Sequence, residues 1–351
     1  MPAIHTASAQ PAVTVIVPAR NEEASLGASL RSLVSQTDVS FEIVVIDDHS
    51  TDRTREIANS FADQNVRVIE APSLPPGWTG KNNAVTAGTK TARGEWLLFT
   101  DADTVHLPGS LSRSLKEAKL QNAAMLSYSP EQEVKTFWEK AIMPVIFAEL
   151  AASFRPSQVS NPKSPAAAAN GQYILITREA YNAVGGHAAI ASSLLEDVAL
   201  ARAVKQSGRK IFFRYGKDAV RTRMYRSFAQ LREGWTKNLA LLFPSSTRLA
   251  ALRAIEFVLI VSSLAVAVSS VLRGHRQSAA ITAFLCLIVY TLFLTRIRRA
   301  HFSWNANILA VFGLPLFSYL LLRSAKAHAA GSVAWKGRTY SDERYLLATG
   351  H

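Results

Sequence analysis

The chain has 351 residues, of which 48% are hydrophobic, a formal net charge of +13 and a single cysteine, Cys286. One cysteine excludes an internal disulfide and a cysteine-based metal site. The basic charge favours phosphorylated substrates or anionic lipid as partners, and because no nucleic-acid-binding module is recognisable we expect no nucleic acid.

Short β-rich runs alternate with helical patterns over the first hundred residues. Residues 1–12 carry no such pattern and are predicted to be a disordered tail. We predict strands at 13–18, 41–46, 66–70 and 95–100, and helices at 21–36, 50–63 and 81–91. This alternation indicates an α/β domain with a mostly parallel, Rossmann-like, doubly wound sheet.

The pattern continues with helices at 109–120, 178–184 and 195–206 and strands at 123–128, 172–177 and 210–213. Residues 137–154 are apolar but interrupted by charges and by Pro144. They indicate either an interfacial or pocket-lining helix or a buried core helix, and the sequence leaves both open.

The composition changes after Pro244. Residues 251–324 are predicted to be a membrane region with apolar runs at 252–272, 279–294 and 308–322, the third short for a crossing and able to kink at Pro315. The basic residues 295–300 (TRIRRA) are expected on the cytoplasmic side. Three crossings would place the basic tail, 325–351, outside, so the third run either crosses or re-enters.

Three acidic clusters carry the chemistry. Asp47-Asp48 and Asp101-Ala102-Asp103 each follow a predicted strand, at the edge where open α/β sheets bind ligands. An Asp-x-Asp there can hold Mg²⁺ or Mn²⁺ against phosphate oxygens. The Asp pair can also be a plain helix cap. Glu196-Asp197 heads a helix, where the helix dipole alone favours acidic residues, but it can equally supply a general base.

Three further side chains are candidate substrate-binding residues. Lys81 begins a helix, a position that suits a phosphate, although a solvated lysine is the plain alternative. Arg232 can clamp phosphates and Trp235 can pack on a sugar or acyl chain. The alternative is that both are juxtamembrane anchors.

This ordered series resembles the inverting family 2 glycosyltransferases with the GT-A fold. The resemblance is carried, over a domain spanning 13–243, by residues 17–23 (VPARNEE), 47–52 (DDHSTD), 80–81 (GK), 101–103 (DAD), 185–186 (GG) and 196–197 (ED). It implies that Pro18, Ala19, Glu22 and Asp48 contact the nucleotide. It also implies that Asp101 and Asp103 hold the metal and the diphosphate, and that Asp197 is the catalytic base.

Residues 74–82 (LPPGWTGKN) and 335–340 (WKGRTY) resemble membrane glycosyltransferases of the carotenoid-acid (diaponeurosporenoate) and hopanoid-associated type. The expected function is transfer of a sugar, with inversion, from a nucleotide-sugar (first of all a UDP-sugar) to a lipid acceptor. The enzyme is expected to be a multi-pass protein of the cell (inner) membrane with a cytoplasmic catalytic domain. The alternatives are a processive polysaccharide synthase, disfavoured because residues 230–235 (QLREGW) depart from Gln-x-x-Arg-Trp, and a catalytically silent membrane scaffold.

Overall fold

The computed structural model describes residues 10–340. Most of the predicted N-terminal tail and the end of the predicted basic tail, residues 1–9 and 341–351, lie outside the described residues. By packing, the described residues form two compact units, which we call the sheet unit (residues 10–132 and 154–223) and the helical unit (residues 133–153 and 224–340). The division places 133–153 and 224–243 with the apolar helices, whereas the domain boundary expected near residue 243 stays a prediction.

The elements up to residue 132 all belong to the sheet unit. They are β1 (Val13–Ala19), α1 (Leu26–Val34), β2 (Phe41–Asp47), α2 (Thr54–Asn59), β3 (Val66–Glu70), α3 (Gly80–Thr91), β4 (Trp96–Phe99), β5 (Thr104–His106), α4 (Ser110–Leu120), β6 (Met125–Ser129) and β7 (Glu131–Gln132).

The remaining elements begin with one helix of the helical unit, return to the sheet unit and then complete the helical unit. They are α5 (Phe137–Ser153), α6 (Pro156–Val159), β8 (Ile174–Thr177), α7 (Arg178–Ala183), α8 (Glu196–Gln206), β9 (Ile211–Tyr215), β10 (Val220–Thr222), α9 (Phe228–Leu242), α10 (Ser246–Leu272), α11 (Arg276–Ile297), α12 (Trp304–Leu309), α13 (Gly313–Ala329), β11 (Val333–Trp335) and β12 (Arg338–Tyr340).

The main sheet confirms the predicted mostly parallel α/β architecture. Its strands run in the order β3-β2-β1-β4-β8-β6-β9, and β8 alone among them pairs antiparallel, with both β4 and β6. The inner strands are β-branched and buried on both faces, as expected for a sheet covered by helices on both sides. The ends of β1 and β2 are level, with Ala19 opposite Asp47.

A small second sheet, in the order β5-β10-β7, is a feature that the sequence did not predict. Its strands have two or three residues each and include polar ones, too little for a period-2 pattern to register. It matters for the site because β5 follows Asp103 directly and pairs antiparallel with β10, with Thr104 opposite Thr222.

The helical unit contains three segments long and apolar enough to cross a bilayer, Ser246–Leu272, Arg276–Ala300 and Trp304–Ala329. Large apolar side chains on α10 and α11 are exposed, as with Leu272 at 81%. The third segment is interrupted at Ala310–Phe312, not at Pro315 as predicted. Pro315 lies in the first turn of α13, where its missing N–H costs no helical hydrogen bond.

Helix α5 is a buried helix of the helical unit, so of the two interpretations left open the core helix is the correct one. Its residues from Ala141 to Ala148 are almost all buried. Its Glu149 joins a ring of charges with α10 and α11: Arg253 Nε lies 3.2 Å from Glu149 Oε1, Arg296 also pairs with Glu149, and Arg296 Nη2 lies 2.6 Å from Glu256 Oε2. Buried charges of this kind persist only when they are paired.

The end of the chain is less tail-like than predicted. Residues 325–329 continue α13, and residues 333–340 form the antiparallel hairpin β11–β12, which contains the segment 335–340.

Candidate active site

The loops that follow β1 and β2 are fastened to each other at the carboxyl edge of the sheet. The Asp48 N–H donates to Ala19 O at 2.8 Å, and the Thr51 N–H donates to Asn21 Oδ1 at 2.8 Å. The Glu22 N–H donates to the Thr54 hydroxyl at 2.7 Å. These bonds place Ala19, Glu22 and Asp48, three of the predicted nucleotide ligands, on one rigid pair of loops.

The predicted acidic residues of this edge also have structural duties. Asp47 is buried and its Oδ1 accepts from the Ser50 N–H at 3.2 Å, which closes a turn in the loop; because α2 begins only at Thr54, Asp47 is not the helix cap of the alternative interpretation. Glu22 Oε2 accepts from the Ser25 hydroxyl at 2.8 Å, at the start of α1. Asp48, the residue after Asp47, is also buried. The Arg20 guanidinium donates to the Asp48 backbone carbonyl at 2.7 Å.

Lys81 joins two of the acidic clusters. Its ammonium Nζ lies 2.6 Å from Asp101 Oδ1 and 2.6 Å from Glu196 Oε1. Burial opposes the charge, but the attraction of the two carboxylates outweighs it and raises the pKa of Lys81 well above its ordinary value. The alternative of a free, solvated lysine is therefore wrong. The Lys81 ammonium therefore joins the Asp-Ala-Asp loop to the start of α8, although Asp101 and Glu196 are 95 positions apart in the sequence.

Asp197 lies beside this cluster, partly enclosed. Its Oδ2 accepts from the Gly171 N–H at 3.0 Å and its Oδ1 from the Val198 N–H at 2.8 Å. Burial first, and then the charge of Glu196, raises the pKa of Asp197 to about 6, while Lys81 and the two N–H groups act in the opposite direction. Each carboxylate oxygen keeps a lone pair for another proton, so the group can accept one near neutral pH.

Gly171 is a site residue that the sequence did not single out. A Cβ atom at this position would lie 3.0 Å from Lys81 Nζ and 3.3 Å from Glu196 Oε1, so the backbone approaches the cluster as closely as only glycine allows without displacement. A small pocket opens here, lined by Pro18, Asp101, Gly171, Lys81 and Glu196 among others. Pro18, predicted from the β1 end, is thus next to the acidic cluster.

Asn82 is a second residue that the sequence analysis missed as part of the site. Its side-chain nitrogen lies 2.9 Å from the carbonyls of Ile190 and Ala191 and 3.1 Å from that of Ser193. These contacts fasten the start of α3 to the loop that leads into Glu196. A buried Asn directly after Lys81, in a helix start capped by Thr79, is the signal that could have shown it.

The Gly185-Gly186 pair serves the same loop. Gly186 has φ +55 and no room for a side chain, because a Cβ would lie 2.4 Å from Tyr181 Cζ. The Tyr181 hydroxyl lies 3.0 Å from both the N–H and Nδ1 of His187, and burial lowers the pKa of His187 to about 4. His187 is therefore a neutral packing residue at pH 7.

Asp101 and Asp103 are the two carboxylates of the Asp-Ala-Asp loop, the predicted metal ligands. Both are partly exposed, and the Ala102 between them is buried. Between residues 10 and 340 no cluster of three or more His, Cys, Asp or Glu side chains is suited to a metal ion. Two carboxylates from one short loop fit a hard divalent ion that takes its other ligands from substrate phosphates and water.

The two remaining predicted ligands, Arg232 and Trp235, lie on α9 in the helical unit. The Trp235 ring is only 2% exposed and packs edge-on against Phe147 and Tyr225, in the core of that unit. This packing contradicts a stacking role for Trp235 and favours a structural one. Arg232 is exposed on α9.

Comparison with known proteins agrees with this arrangement. The sequence model of Glycosyl transferase family 2 matches residues 14–185. The 4,4'-diaponeurosporenoate glycosyltransferases of Staphylococcus aureus strains MRSA252 and USA300 are each 30% identical over 345 residues, covering 94% of this chain and 88% of theirs. A mannosyltransferase, PcManGT from Pyrobaculum calidifontis, solved with GDP-Man and Mn²⁺, shares the fold at 16% identity with a TM-score of 0.50, over 91% of this chain and 87% of its own. The chain therefore belongs to glycosyl transferase family 2, and it is a glycosyltransferase with the GT-A fold.

Proposed function

We propose that the enzyme transfers a sugar from a nucleotide-sugar to a lipid acceptor, with inversion at the anomeric carbon. One observation carries the proposal: Lys81 holds Asp101 and Glu196 together at the carboxyl edge of the sheet, with Asp197 beside them. That arrangement offers a cationic and metal-binding side for a diphosphate and a carboxylate base next to it.

The donor nucleotide is assigned to the fastened loops after β1 and β2. Pro18, Ala19, Glu22 and Asp48 lie there, and a carboxylate at a strand end is suited to hydrogen bonds from a base or ribose. We propose a UDP-sugar as the donor. The sugar diphosphate would then extend toward Lys81, whose high charge density suits phosphate oxygens.

A divalent ion, Mg²⁺ or Mn²⁺, would be held by Asp101 and Asp103 together with the phosphates of the donor. When bound, it would offset the negative charge of the leaving nucleoside diphosphate. Lys81 shares this duty, because it already lies within 2.6 Å of Asp101 and can turn one of its three N–H donors to the diphosphate.

Asp197 is the proposed base. It takes the proton of the acceptor hydroxyl or carboxyl group as that oxygen forms a bond to the anomeric carbon. The bond from the anomeric carbon to the diphosphate oxygen breaks, and the electron pair leaves with the nucleoside diphosphate. A single displacement of this kind inverts the anomeric configuration.

The lipid acceptor is proposed from the relatives and the helices together. The relatives are named for a carotenoid acid, and the chain carries three segments able to cross a bilayer. The basic residues Arg296, Arg298 and Arg299 at the end of α11 favour a cytoplasmic location for that end. We propose a multi-pass protein of the cell membrane with its sheet unit in the cytoplasm.

The test is turnover of UDP- and GDP-sugars by membranes that contain the full chain. Mass spectrometry of lipid extracts would identify the product, and NMR of its anomeric proton would report inversion. We expect Asp197→Asn and Asp103→Ala each to lose activity by at least about 100-fold. Wild-type rates in both variants would refute the proposal, and a product that grows with many sugars would favour a polysaccharide synthase.

A further inference from the structure

Behind the acidic cluster lies a set of buried polar side chains that the proposed chemistry does not use. Thr100 comes directly before Asp101 and is 0% exposed. Its hydroxyl donates to the carbonyl of Gln172 at 2.9 Å. Gln172 follows Gly171 and is 4% exposed. The start of the Asp-Ala-Asp loop is thus bonded to Gln172, the residue after Gly171, whose N–H donates to Asp197.

The end of the same loop is tied to the same glutamine. The Thr222 hydroxyl, on β10, donates to the backbone carbonyl of Asp103 at 3.2 Å. Gln172 Nε2 lies 3.4 Å from that hydroxyl, which can accept from it. Gln172 therefore contacts both ends of the loop, through its carbonyl at Thr100 and through its amide at Thr222.

His106 gives this arrangement a fixed direction. Its Nε2 lies 3.1 Å from the Thr100 hydroxyl oxygen. Since the hydroxyl hydrogen points to Gln172, Nε2 must carry the proton, and burial lowers the pKa of His106 to about 3, so the ring stays neutral. The bonds then run one way, from His106 through Thr100 to Gln172, and a reversed hydroxyl would leave the buried carbonyl unpaired.

We propose that Thr100, Gln172 and Thr222 are positioning residues, a brace that holds residues 101–103 in register with the Gly171–Asp197 contact. The inference rests on the proposed function, because it assigns the diphosphate side of the site to one end of the brace and the base to the other. None of the three side chains touches the reacting groups. They act by fixing the distance between two loops, and a misplacement of about 1 Å can cost about 100-fold in rate.

The brace has a signature that simple packing lacks. If the loop shifts, the Gly171 N–H moves relative to Asp197 Oδ2, now 3.0 Å away. A weaker bond from that N–H stabilises the carboxylate less and raises the pKa of Asp197. Lys81 and Glu196 are the charged groups beside Asp197. Because Lys81 is paired with Asp101, a shift of residues 101–103 also displaces its ammonium, and any loss of that positive charge near Asp197 raises the same pKa. A change on the Asp101–Asp103 side would therefore move the acidic limb of the pH–rate profile, which belongs to Asp197, toward higher pH.

The experiment compares Thr222→Val with Thr222→Ser in the purified full chain. Thr14→Val is the matched control, because Thr14 is also 0% exposed and its hydroxyl bonds to Glu42 at 2.8 Å and to the Gly94 N–H at 2.7 Å, at the opposite end of β1. We expect Thr222→Val to lower kcat/KM by about 10- to 100-fold and to move the acidic limb upward. Thr222→Ser should remain within about twofold of wild type, and Thr14→Val should lose stability without moving the limb. Gln172→Met, which removes only the amide, is the milder second variant should Thr222→Val fail to fold, and the same direction is expected.

Calorimetry with UDP and Mn²⁺ gives a readout independent of turnover. The brace predicts at least about threefold weaker UDP binding in Thr222→Val than in Thr14→Val. Equal losses in these two variants with no shift of the limb, or wild-type behaviour of Thr222→Val and Gln172→Met, would overturn the brace while leaving the proposed function intact. A wild-type chain that transfers no sugar and binds no UDP with Mn²⁺ would overturn both.

Discussion

The acidic limb of the pH–rate profile is the sharpest test of Asp197 as the base. With a pKa of about 6, the carboxylate is about 90% ionised at pH 7 and about 9% ionised at pH 5, so kcat/KM should fall about tenfold between these two pH values. An aspartate at its ordinary pKa of 3.8 would lose less than about a tenth over the same interval. The profile of kcat/KM is the right measurement because it reports the free enzyme.

Two substitutions separate the causes of this pKa. Glu196→Gln removes the neighbouring charge that raises the pKa of Asp197, so the limb should move toward lower pH. Asp197→Asn should reduce kcat/KM by at least about 100-fold and leave the residual rate without this limb. Glu179→Gln is the control, because Glu179 pairs with Arg209 on the surface with its side chain 73% exposed and should leave the limb in place.

The assay is initial-rate transfer from the nucleotide-sugar in detergent, with each sample returned to pH 7 to show that activity recovers. A wild-type rate that is flat down to pH 5, or an Asp197→Asn variant that keeps the limb, would refute the assignment. So would a limb that moves equally in Glu196→Gln and Glu179→Gln.

Four further outcomes follow from the structure. The raised pKa of Asp197 means that the folded state binds the proton more tightly than the unfolded chain, so ionisation of this group costs stability as pH rises from about 4 through 6. Asp197→Asn should therefore stabilise the fold at pH 7, by at most about 3 kcal/mol, and raise its melting temperature. Calorimetric scans at pH 7 and pH 4 should show this gain only at pH 7. Lys81→Met leaves the carboxylates of Asp101 and Glu196 facing each other without a cation between them. Since the lysine side chain is 34% exposed, we expect the free energy of unfolding to fall by about 1–2 kcal/mol and the acidic limb to move to higher pH. An unchanged limb would argue against the contact. Chelation of divalent ions should abolish sugar transfer, and addition of Mn²⁺ or Mg²⁺ should restore it. In calorimetry, Asp103→Ala should remove the gain in UDP affinity that the metal gives, whereas metal-independent UDP binding in the wild type would contradict the assignment. In urea unfolding, Gly186→Ala should lower the free energy of unfolding by more than about 2 kcal/mol, because residue 186 has a positive φ and a Cβ there would meet the Tyr181 ring. The control Gly208→Ala should cost only about 1 kcal/mol, because Gly208 has φ +81 but a Cβ there would have nothing within 4 Å.

Local pattern was enough to predict the main sheet and the acidic edge. The strands are short, β-branched and buried on both faces, and their carboxyl ends must share one edge in a parallel sheet, so Asp48 and Asp101 could be placed from the sequence. The helix at Gly80–Thr91 and the strand at Val66–Glu70 also have the predicted bounds to within a residue.

Long-range contacts could not be predicted in this way. The partners of Lys81 come from two distant segments, and the role of Gly171 lies in its backbone, which carries no side-chain signal. The brace joins side chains of β10 and two loops through single hydrogen bonds. Trp235 was misread because an aromatic residue that precedes a membrane region looks alike whether it packs inward or outward.

Helix α5 is the one stretch of chain that leaves the sheet unit and comes back to it, and this interruption constrains how the protein is made. Its Glu149 is neutralised by Arg253 and Arg296, which are synthesised about 100 and about 150 residues later. A Cβ on Gly313 of α13 would lie 1.9 Å from the Ala141 carbonyl oxygen, so α13 packs directly on α5 and is part of its cover. Until α10, α11 and α13 are made, a nascent chain carries an apolar helix without its cover and a Glu149 carboxylate without these two partners. A version shortened to residue 243 should therefore aggregate instead of yielding a soluble enzyme, because α5 and Glu149 would lack the helices that cover and neutralise them.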